Sequence, residues 1–106
     1  MAQIEIIDIV RKYVLLLNAS GIPVVKAFLY GSYSRNEAQS DSDIDVMIIS
    51  PVFDKHNDKI KAKAWLLSEK IDIRIEPYTV GEKKYLSDDV SPLLQIVKKE
   101  GIEIKV

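Results

Sequence analysis

Residues 31 to 45 read Gly31-Ser32-Tyr33-Ser34-Arg35-Asn36-Glu37-Ala38-Gln39-Ser40-Asp41-Ser42-Asp43-Ile44-Asp45. An apolar run from Val24 to Tyr30, β-branched at its start, leads into this stretch, and a second, Ile44 to Ile49, leads out of it. Both read as buried strands, the first ending in Gly31-Ser32 and the second closed by Ser50-Pro51. Side chains two apart on a strand share a face, so Asp43 and Asp45 converge while Ile44 turns to the core. Carboxylates held that close repel, and one is driven toward protonation unless a cation sits between them. Mg²⁺ suits the pair, because it prefers oxygen ligands and usually takes one or two protein carboxylates together with substrate phosphates. If Gly31-Ser32 opens a helix, it offers backbone N–H groups and a hydroxyl to such a phosphate. Paired acids at a strand start are commonly just solvated. A glycine-serine turn and the paired acids, set between two apolar strands, would bring phosphates and metal into one cleft.

The flanks supply the scaffold. From about Gln3 to Asn18, Ile7, Val10, Val14 and Leu17 recur at helical spacing, with Gly21 and Pro23 as stop signals. Asn57 or Asp58 caps a second helix through about Leu67, with Ile60, Ala64 and Leu67 inward and Lys59, Lys61 and Lys63 on a solvated face. Ile71 to Ile75 alternates strictly, predicting a strand with Ile71, Ile73 and Ile75 on one side and Asp72, Arg74 and Glu76 on the other, ended by Pro77. Ser91-Pro92 opens a helix to about Glu100, Gly101 stops it, and Ile102 to Val106 reads as an edge strand. Alternating helices and strands predict an α/β or α+β sandwich.

Composition limits the function. At 106 residues, 47% apolar and 29% charged, the chain reads as one globular domain over residues 1–106. A net charge of −1 gives no positive field for long nucleic acid. The absence of cysteine removes thiolate chemistry and fits a reducing compartment, so the cytoplasm is the expected location. Neither a membrane span nor a secretion signal is read. His56, the only histidine, lies in a polar loop and is expected to be exposed. Trp65 and the tyrosines are expected in core and rim, with Tyr33 packing beside the site.

Gly-Ser, ten residues, Asp-x-Asp resembles the signature of the nucleotidyltransferase superfamily related to DNA polymerase β, in its minimal single-domain form. The segments Asp72 to Pro77 and Ile96 to Ile102 are similar to single-domain members as well, so the likeness covers most of the chain from Val24 onward. It implies that superfamily's fold, a mixed sheet flanked by helices. It implies that Gly31, Ser32 and Arg35, with Asp43, bind nucleotide, and that Asp43 and Asp45 bind metal. A third carboxylate from a neighbouring strand completes such sites, and Asp72 is the best match with Glu76 in reserve. The implied reaction moves a nucleoside monophosphate, AMP in the first instance, from ATP or another NTP to an acceptor hydroxyl with two Mg²⁺ ions. The chain departs from many members at Asn36, where they carry glycine; asparagine tolerates left-handed backbone better than most residues. Single-domain members also resemble antitoxins that pair with a small helical HEPN-type protein and AMPylate it. A catalytically inactive module that acts by docking its partner is the alternative of a different class, and a homodimer stays open.

Overall fold

Seven residues, Ile44–Ser50, form strand β2, and the rest of the fold is arranged on both sides of it. The computed structural model describes residues 3–35, 37–39, 42–55, 57–87 and 91–106; Asn36 and His56 lie outside the described residues. Strand β2 pairs antiparallel with β1 (Lys26–Tyr30) and parallel with β3 (Ile75–Gly81). A short β4 (Ile102–Glu103) pairs antiparallel with the far side of β1, giving the order β3-β2-β1-β4. Ile44 and every residue from Val46 to Ser50 are buried, as expected of a strand covered on both faces.

Alternation along these strands divides the core in two. On one face Ala27, Leu29, Ile44, Val46, Ile48 and Ile75 pack against helices α1 (Gln3–Ala19) and α2 (Asp58–Ile71). On the other, Phe28, Met47, Ile49 and Val80 meet Leu94 and Val97 of a C-terminal helix, Pro92–Glu100. A short helix α3 (Glu82–Ser87), which the sequence reading missed, brings Tyr85 to the rim of this second core; the C-terminal helix is α4. The expected α+β architecture, a mixed sheet with helices, is therefore present. None of the helices among the described residues is long and apolar enough to cross a membrane.

Helix α1 buries Ile6, Val10, Tyr13, Val14 and Leu17, a wider stripe than expected, and leaves Ile7 at its edge. It ends at Gly21, whose φ of 88° suits a residue without a Cβ, with the amides of Ser20 and Ile22 both donating to the Leu17 carbonyl. The Asn57 carboxamide accepts from the amides of Lys59 and Ile60 and so caps α2 as expected.

The third strand departs from expectation. Helix α2 continues to Ile71, and β3 starts only at Ile75. Asp72 ends the helix with its N–H on the Ser68 carbonyl, and its carboxylate accepts from the Arg74 amide at 2.9 Å. The Ile75 amide then donates to the Asp72 carbonyl at 3.1 Å, closing a turn. An aspartate that bonds its own backbone two residues on favours a turn, and here that local bonding overrides a period-2 pattern. Ile73 stands 85% exposed on the turn instead of facing the core. Pro77 lies inside β3, which tolerates it as an outer strand.

The two helices of the larger core are joined by a buried polar contact. The Tyr13 hydroxyl donates to the Ala64 carbonyl at 2.7 Å, and burial raises the phenol's pKa well above its ordinary value. Tyr13→Phe removes one buried hydrogen bond with little change of volume. Its expected cost is about 1 kcal/mol of unfolding free energy, seen as a lower urea midpoint at unchanged slope.

Candidate active site

Strand pairing sets Tyr30 beside Asp45 and Asp45 beside Glu76, a row across β1, β2 and β3 on the face away from α1 and α2. The row lies where β1 ends and β2 and β3 begin. Asp43 sits one residue before β2 and is exposed, while Asp45 is half-buried. Burial raises the Asp45 pKa first, followed by the charges of Asp43 and then Glu76, with Arg35 opposing them. Three acids thus crowd one half-buried position.

Gly31 makes this crowding possible. Its φ is +75°, and a Cβ built there would collide with Oδ2 of Asp45. A side chain at position 31 is therefore strained by the backbone and needs the Asp45 carboxylate to move aside. The chain from Gly31 to Tyr33 forms one turn of 3₁₀ helix, shorter than the helix the sequence reading allowed for. Ser34 donates to the Gly31 carbonyl through both its amide and its hydroxyl, and the Glu37 amide donates to the Ser32 carbonyl. The loop is thereby closed on itself, with Ser32 half-buried directly after Gly31. Arg35 pairs with Glu37 at 3.1 Å on the surface, and its charge still reaches Asp45.

Asp72 does not stand in the acidic row. Its carboxylate grips the Arg74 guanidinium, with Nε to Oδ1 at 3.0 Å and Nη2 to Oδ2 at 2.7 Å. These bonds hold its pKa below the ordinary aspartate value. Arg74 in turn reaches the Tyr33 hydroxyl and accepts the Ile44 amide on its carbonyl at 2.8 Å. Asp72 therefore fastens the start of β3 to the start of β2 and to the Gly31 turn. Glu76, held in reserve by the sequence reading, is the acid that faces Asp45. Tyr33 is buried beside the site as expected. Tyr30 was missed: burial and then the charge of Asp45, followed by Tyr78 and Glu76, push its phenol up to about 12. Its signal was its place directly before Gly31, readable only once β1 is registered against β2.

The site fits a divalent cation of the Mg²⁺ type. Asp45 bears repulsion from two neighbours that Arg35 offsets only in part, and the absence of a side chain at Gly31 leaves room for its carboxylate. Asp43, Asp45 and Glu76 are the carboxylates that would hold such an ion, although among the described residues no three such groups form a ready-made cage for it.

Residues 5–104 match the nucleotidyltransferase domain family, and the chain belongs to it. Among curated proteins none matches. Of solved structures, a Sulfolobus solfataricus protein assigned as a nucleotidyltransferase aligns with a TM-score of 0.67 at 16% identity, covering 95% of this chain and 80% of that one. A toxin–antitoxin with AMP-PNP aligns with a TM-score of 0.61 at 22% identity, covering 89% of this chain and 71% of that one. A mutant of the toxin–antitoxin MntA–HpeT gives 0.53 at 18%, covering 99% and 73%. These likenesses carry the fold.

Two outcomes follow from the geometry. Gly31→Ala places a Cβ on left-handed backbone, at about 1–2 kcal/mol of unfolding free energy, and displaces the Asp45 carboxylate; urea unfolding together with Mg²⁺-nucleotide titration should register both effects. Asp72 has a folded-state pKa lowered from 3.8, so its contribution to stability is present above that value and lost as pH falls through the lowered one. Wild type should therefore exceed Asp72→Asn in stability at pH 7, and the two should converge on acidification below 3.8.

Proposed function

We propose that this nucleotidyltransferase domain moves AMP from Mg²⁺-bound ATP to a hydroxyl on a partner protein, with Asp43, Asp45 and Glu76 as its working acids. The observation that carries the reading is the half-buried Asp45, crowded by two like charges at the lip of a turn whose positive φ and close approach favour glycine. The chemistry supplied by bound Mg²⁺ is activation of the attacking hydroxyl and charge stabilisation on the oxygens joined and released. Asp43 and Asp45 hold the metal side of the site. Ser32 donates its hydroxyl to the triphosphate, which lies along the Gly31 turn, and Arg35 adds positive charge there. Glu76, on the neighbouring strand, receives the acceptor's proton and orients its oxygen. Asp72, to which the sequence reading gave that role, acts as a positioning residue.

The choice of an adenine nucleotide is supported by the AMP-PNP in one similar structure. Two of the similar structures are toxin–antitoxins, which supports an acceptor on a partner toxin and an antitoxin role; a HEPN-type partner and a cytoplasmic setting extend that reading from the sequence resemblance and the absence of cysteine. With its net charge of −1, the chain has no general attraction for long nucleic acid.

Incubation with Mg²⁺ and ATP labelled at the α-phosphate, with and without a helical partner protein, tests the reading. Label should pass to the partner and vanish with Asp43→Ala, Asp45→Ala. Glu76→Gln should lower kcat by about 10²-fold or more with the KM for ATP little changed, whereas Asp72→Asn should retain most of kcat in steady-state assays. Partner binding with neither label transfer nor Mg²⁺-nucleotide binding would leave a docking module instead.

A further inference from the structure

The proposed catalytic groups lie in a fixed order across the sheet. The Gly31 turn ends β1, Asp45 lies on β2, and Glu76 lies on β3, the outer strand. In a phosphoryl displacement the attacking and leaving oxygens are roughly in line. With the triphosphate along the Gly31 turn, pyrophosphate departs on the β1 side, and the acceptor must enter from the opposite side, over β3. What β3 exposes there therefore selects the acceptor.

Two large apolar groups are exposed at that edge. Tyr78, two residues after Glu76 and on the same face, is 45% exposed, and Ile73 is 85% exposed on the turn just before the strand. Tyr78 pairs with Met47 of β2, the next position on this face after the Asp45–Glu76 pair, which places it next to the acidic row. Among the described residues 72–78 there are two acids, Asp72 and Glu76, and one cation, Arg74, which is bonded to Asp72. An edge with this charge repels the phosphates of an RNA end and favours an uncharged, apolar partner.

We propose that Tyr78, with Ile73, is the acceptor-docking surface of this domain, seating a protein segment that presents its hydroxyl beside an aromatic or apolar side chain. This rests on the transferase reading above. Tyr78 acts here as a specificity residue through its ring, so phenylalanine should replace it and alanine should not. The nucleotide side of the site should not sense the change.

The test is an NMR titration of the ¹⁵N-labelled chain, as wild type, Tyr78→Ala and Tyr78→Phe, with a non-hydrolysable ATP analogue plus Mg²⁺ and then with N-acetyl-tyrosinamide. The analogue should shift the Gly31 to Ser34 amides with equal affinity in all three proteins. N-acetyl-tyrosinamide should shift the Ile73, Tyr78 and Thr79 amides, bind Tyr78→Ala about tenfold more weakly, and bind Tyr78→Phe as it binds wild type. If those amides stay still, if Tyr78→Ala binds normally, or if a short oligoribonucleotide occupies the same edge more tightly, the docking surface is overturned while nucleotide binding stands. If the analogue moves nothing at Gly31 in wild type, the transferase reading itself fails.

Discussion

The pairing of β2 with a strand on each side, while both its faces are buried, is the constraint on which the site depends. Because side chains alternate, a slip of one residue would turn Asp45 into the core beneath α1 and α2 and expose Val46. A carboxylate moved there would be unpaired among Val10, Leu29 and Ile48, an environment that strongly disfavours its charge. The apolar run of β2 therefore fixes which way its one half-buried acid points. Arg74 reinforces the register from the β3 side by accepting the Ile44 amide, and Asp72 holds Arg74 in place.

This division of labour separates acids that look alike in sequence. Asp72 has its charge compensated by the Arg74 guanidinium and accepts bonds from the Arg74 amide, Nε and Nη2, so it contributes stability. Asp45 is surrounded by like charge and partly desolvated, so it detracts from stability until a cation arrives. Groups so perturbed cluster where chemistry is done. The network of Asp72, Arg74 and Tyr33 offsets some of the strain by tying the Gly31 turn and both strands together at one end of the sheet.

Much of this was legible in the residues. The strand endings at Gly31 and Ser50, the helices from Gln3 and Pro92, and the place of Asp45 all follow from local period and turn chemistry. The segment after Leu67 did not, because Ile71, Ile73 and Ile75 mimic a strand while Asp72 bonds its own backbone and extends the helix before it. That Glu76 rather than Asp72 lies beside Asp45 depends on β3 starting at Ile75 and running parallel to β2, a pairing between distant segments that no local pattern records. Tyr30 and Tyr78 came into view for the same reason, and α3 was too short to leave a periodic trace.

The contact between Gly31 and Asp45 has a consequence for heredity. No codon change at position 31 can be judged without reference to position 45, since any side chain at the first needs the carboxylate at the second to withdraw. A lineage that had already lost the acid at 45 would be freed of half the objection to alanine at 31, keeping only the backbone one. Divergence at the two positions would then tend to run in one direction, the acid first and the glycine afterwards.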